Sequence, residues 1–81
     1  MKPELILKMK EQFKAEMQAY NAYDMIKSCI DDEHLIEALE EIMYDEYLHA
    51  KFLRNYMIHE EVYNPADHIE CEKMYKKIID D

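Results

Sequence analysis

The stretch Leu35–Tyr56, "LIEALEEIMYDEYLHAKFLRNY", decides the fold. Leu35, Leu39, Ile42, Glu46, His49, Leu53 and Tyr56 recur in steps of 4, 3, 4, 3, 4 and 3, which is one stripe of a long amphipathic α-helix. The stripe is apolar except at its centre. There, in "DEYLHA" (45–50), a carboxylate and an imidazole stand one turn apart on the face a helix normally buries.

Working outward, Asp31 or Asp32 in "SCIDDEH" caps this helix, which runs over about 32–59. Upstream, Pro3 suits a first helical position, and Leu5, Met9, Phe13, Met17, Tyr20 and Ile26 continue at helical spacing, predicting a helix over about 3–28. Downstream, Asn64 as cap, Pro65 as first residue and Asp67 in the first turn predict a shorter, more polar helix over about 65–79. The expected fold is all-α, a single domain over 1–81. A short connection makes the two long helices an antiparallel hairpin. A lone hairpin covers one side of each stripe, so two copies are expected to dimerise into a four-helix bundle, an obligate homo-oligomer.

Composition agrees. The 81 residues contain no glycine and two prolines, and a chain this short needs a metal, a staple or a partner to gain stability. With 19 acidic against 10 basic residues and a net charge of −9, nucleic acid and anionic membrane surfaces are disfavoured as partners. The opening "MKPELILKMK" is too short and too often interrupted to be a signal peptide or a membrane span. Cys29 and Cys71 lack metal or redox spacing, so free thiols and a cytoplasmic location are expected.

The polar residues on the stripes carry the chemistry. Helix 1 has its own seam at Leu5, Met9, Phe13, Glu16, Tyr20 and Tyr23, with Glu16 between large apolar groups. A carboxylate among such groups must be protonated, paired or metal-bound. Lys14, Lys51 and Arg54 are near in sequence but belong to other faces. Glu16 and Glu46 lie about equally far from the turn, so Glu16, Glu46 and His49 are expected at one height. Carboxylates with one imidazole suit iron or manganese better than structural zinc. Two chains supply four Glu and two His, the ligand set of a carboxylate-bridged di-iron site, so the sequence reads as half of a ferritin-like four-helix bundle. Tyr23, two turns from Glu16, is either a core tyrosine or a neighbour of the metal. His34, His59 and His68 fall near helix ends and are expected in solvent.

On Glu16, Tyr23, Glu46 and His49 in "DEYLHA", with 30 residues between the two acids, the chain resembles the encapsulated ferritins over about residues 10–58. The resemblance implies a ferroxidase whose di-iron site forms between two subunits, with Glu16, Glu46 and His49 as catalytic and metal-binding residues and Tyr23 hydrogen-bonded to a ligand or beside the metal. It also implies iron storage or detoxification, with dioxygen or peroxide as oxidant, and a decameric ring of dimers inside an encapsulin shell. Two features depart from it. The family carries further acids beside its first ligand that receive incoming metal, whereas Glu16 is flanked by Ala15, Met17 and Gln18. The family's shell-targeting peptide has no counterpart in "KKIIDD" (76–81). A rubrerythrin-like peroxidase is a near variant, but the chain has no rubredoxin cysteines. The alternative class is a helical oligomerisation or interaction module with a structural metal or none.

Overall fold

Pro3 and Asp32 begin the two long helices. The computed structural model describes residues 1–80, which form α1 (Pro3–Lys27), α2 (Glu33–His59), a 3-10 turn (Pro65–Asp67) and α3 (Ile69–Asp80). Asp81, the last residue of the expected domain, lies outside the described residues. Among the described residues the fold is all-α. Pro3 occupies the first turn of α1, where its missing N–H costs nothing, and Glu4 and Lys27 oppose the helix dipole at the two ends. The Asp32 side chain accepts hydrogen bonds from the backbone N–H groups of His34 (2.9 Å) and Leu35 (3.3 Å), so α2 starts where its cap is. At 1.5 Å per residue α1 and α2 are about 38 and 40 Å long. The molecule measures 45 × 20 × 16 Å, so the two helices lie side by side along it.

The core forms where α3 meets this pair. Phe13 and Met17 of α1, Ala50 and Met57 of α2, Tyr63 of the connection, and Tyr75 and Ile78 of α3 form one buried cluster. The Phe13 ring meets Tyr63 edge-on, with centroids 5.7 Å apart, and lies tilted to Tyr75 at 5.9 Å. The buried line of α2 is Leu39, Met43, Ala50 and Met57. This differs from the stripe expected from the sequence: Leu35, Ile42 and Tyr56 are 45%, 38% and 39% exposed. The reason is angular. At about 100° per residue, Glu46 is turned roughly 60° from Met43 and His49 roughly 120° in the same direction. The expected seam is therefore the flank of the face that this chain buries.

The helix expected to start at Pro65 is corrected. Asn64 does cap, its side chain accepting from the Ala66 N–H at 3.1 Å, but the 3-10 turn it caps stops at Asp67. His68 (φ −131°, ψ 57°) breaks the helix, and α3 begins at Ile69. His68 is also half-buried, its ring stacked on Tyr63 at 4.6 Å, whereas His34 and His59 are exposed as expected. Arg54 fastens α3. Its Nε and Nη2 donate to the Glu72 carboxylate at 2.9 and 2.6 Å, the Tyr63 hydroxyl donates to the same carboxylate at 2.8 Å, and the guanidinium lies 4.7 Å from the Tyr75 ring centroid. The hydrogen bonds from Arg54 hold Glu72 below the usual carboxylate range, and burial pushes the Tyr63 phenol up. No described helix is long and apolar enough to cross a membrane.

In a chain without glycine, α2 ends on an unusual residue. Glu61 takes a left-handed conformation (φ 59°), and the N–H groups of Glu61 and Val62 return to the carbonyls of Ile58 and Met57, both at 3.0 Å. This bonding pattern normally recruits glycine, because a Cβ crowds the following carbonyl. Glu61→Gly is expected to stabilise the protein by about 1 kcal/mol, read as a higher urea midpoint at unchanged slope.

Candidate metal centre

Glu16 sits one turn after Phe13 and next to Met17, so the most deeply buried part of α1 fixes its position. Glu46 and His49, one turn apart, lie beside the buried line of α2. The structure brings the three together: one ligand atom from each lies within 4.8 Å of the others. His49 Nδ1 is 3.4 Å from Glu16 Oε2, and Gln12 Nε2 donates to Glu16 Oε1 at 3.0 Å. The Glu16 side chain is 12% exposed and that of His49 is 60% exposed, so the group is rooted in the fold on one side and open on the other. Tyr23 is half-buried about 10 Å further along α1 by helical rise, and it makes no hydrogen bond to the three. Gln12 has no counterpart in the sequence reading. An i, i+4 Gln–Glu pair is its only signal, and such pairs are common on solvated helices.

The electrostatics identify what the group lacks. Two carboxylates face one another, and among the described residues neither forms an ion pair with Lys or Arg. Arg54, the nearest guanidinium in sequence, is committed to Glu72. A hydrogen bond shared with Glu16, then burial and the Glu16 charge, push the Glu46 carboxyl up to about 7. Burial opposes ionisation of Glu16, but the hydrogen bonds from Glu46, Gln12 and His49 outweigh it and hold its pKa below the ordinary value. Glu46 thus gives up its proton less readily than an ordinary carboxyl because Glu16 beside it already holds the charge, the pattern of two carboxylates sharing one site.

A metal fits this donor set. Oxygen and nitrogen ligands about 2.1 Å from one ion stand up to about 4 Å apart, so a separation of at most 4.8 Å needs only small side-chain movements to close. Two oxygens and one nitrogen, without sulfur, suit the harder divalent transition metals. Comparisons of this chain with protein-family models, curated proteins and solved structures find no match. The case for the site therefore rests on its geometry.

A pH dependence follows from the sign of the Glu46 shift. Its folded pKa, about 7, is above the ordinary 4.5, so the stability it contributes is complete below about pH 4.5 and is lost as pH rises through 7. Urea melts of metal-free protein are expected to show stability falling between pH 5 and pH 8. Glu46→Gln should flatten that profile. Metal affinity should run the other way, rising to about pH 7 as Glu46 gives up its proton.

Proposed function

We propose that Glu16, Glu46 and His49 bind Fe(II) as the substrate of a ferroxidase, with two copies of the chain contributing to one paired-iron site. The observation that carries this reading is the convergence of two carboxylates and an imidazole with no cation of the chain's own beside them. The exposed line on the same side of α2 supports the second copy. Leu35, Ile42 and Tyr56 stand seven residues apart from one another or from His49, and Phe52 is close by, so the site opens onto an apolar strip. In this arrangement α1 and α2 act as an antiparallel hairpin. A second hairpin covers the strip, and the completed bundle presents four Glu and two His.

Each residue then has a chemical task. Glu16 and Glu46 supply negative charge that favours Fe(III) over Fe(II), and Glu46 releases its proton when iron arrives. His49 adds a neutral nitrogen donor on the open side. Two Fe(II) ions give one electron each, and dioxygen takes these with two protons to become hydrogen peroxide; peroxide as oxidant ends as water. A cytoplasmic location, a ring of dimers and an encapsulin shell belong to the same reading. Manganese suits the same donors. The test is oxygen consumption after adding Fe(II) to metal-free protein. The reading requires catalysed uptake above buffer, lost in His49→Ala.

The apolar strip also serves the other class, a helical interaction module. In that case His49→Ala changes assembly, and the parent protein consumes no oxygen with Fe(II).

A further inference from the structure

We infer that Gln12 is a positioning residue for the metal centre, one that aims the Glu16 carboxylate at the bound ion; this rests on the metal-binding reading above. Glu16 has two oxygens with different partners. Oε1 accepts from Gln12 Nε2 at 3.0 Å, and Oε2 faces His49 Nδ1 at 3.4 Å. Glu46 and His49 are themselves candidate ligands, so their bonds to Glu16 must yield when an ion enters. The Gln12 bond has no such conflict. Gln12 precedes Glu16 by four residues on α1, where i and i+4 side chains are neighbours, and its amide carries no charge to repel a cation. With Oε1 held by an N–H donor, Oε2 is the oxygen left to face His49. The planar carboxylate is fixed against rotation about its last bond, which is how outer partners hold metal ligands in orientation.

Chemistry and location separate this role from support of the fold. Gln12 is exposed and lies outside the core cluster of Phe13, Met17, Ala50, Met57, Tyr63, Tyr75 and Ile78. Its hydrogen bond to Glu16 joins two neighbouring turns of one helix and adds little to the stability of that helix. Losing it should leave the fold intact and act on the metal.

The experiment titrates Co(II) anaerobically into the metal-free parent, Gln12→Leu and Gln12→Glu, and follows the visible ligand-field bands beside calorimetry. Gln12→Leu keeps helix propensity and removes the donor. The expected result is Co(II) binding weakened by about 10-fold with altered band positions, while the melting temperature of the metal-free protein stays within a degree or two of the parent. Gln12→Glu, which swaps the donor for a third carboxylate, should change the Co(II) spectrum in its own way. If the parent binds Co(II) and Gln12→Leu binds with the same affinity and spectrum, Gln12 does not position the ligand. If Gln12→Leu also lowers the melting temperature markedly, its role is structural and the inference fails. A parent that binds no Co(II) defeats the metal-binding reading itself, and with it this extension.

Discussion

Glu46→Ala is expected to weaken Fe(II) binding by at least about 100-fold while leaving the metal-free protein as stable as the parent, or more stable above pH 7. The two halves of this result have one cause. Glu46 is one of three converging donors, and removing a direct ligand must cost at least as much as the 10- to 100-fold lost with an outer partner. The hydrogen bond with Glu16, burial and the Glu16 charge push the same carboxyl up to about 7, so once ionised it becomes a repulsive neighbour. Deleting it relieves Glu16 and leaves Leu39, Met43, Ala50 and Met57, the buried line of α2, untouched. Anaerobic Fe(II) titration and urea melts at pH 8 check both halves. A variant that loses metal because it unfolds would instead place Glu46 in the structural core.

Phe13→Ala is expected to cost about 3–5 kcal/mol, the largest stability loss from any single truncation here. Phe13 is 1% exposed, and its ring touches both Tyr63 and Tyr75. Truncation leaves a cavity between α1, the connection and α3, which close packing cannot refill. A domain of this size has only a few kcal/mol in reserve. Thermal melts should show a transition lowered by tens of degrees or too broad to fit. Because Glu16 lies one turn beyond Phe13, metal binding should weaken in parallel. Leu5→Ala, at a half-exposed position on the same helix, should fall within about 1 kcal/mol of the parent.

The helices were legible because their signals are local. Pro3 and Asp32 mark starts by removing or capping backbone donors, and the observed bounds of α1 and α2 agree with the expected ones to within a residue. The convergence of Glu16, Glu46 and His49 was also legible, since it depends only on helical rise and distance from the turn. The burial pattern was legible only in part. Phe13, Met17 and Leu39 of the expected stripes are buried, but so are Met43 and Ala50, since methionine and alanine carry less weight in a periodic reading than Leu35, Ile42 and Tyr56, which stay exposed in the single chain. The anchoring of α3 left no local trace: Arg54 and Glu72 are 18 residues apart, and Tyr63 lies in the irregular connection between α2 and the 3-10 turn. The Asn64–Pro65 signal was real but brief, because it describes a first turn equally well in a 3-10 or an α-helix, and the break falls at His68, whose ring stacks on Tyr63.

Native mass spectrometry of the protein before and after anaerobic Fe(II) addition decides whether two copies share one paired-metal site. The expected result is an even-numbered oligomer that gains two irons per pair of chains. A monomer, or an oligomer whose mass is unchanged by iron, would contradict it.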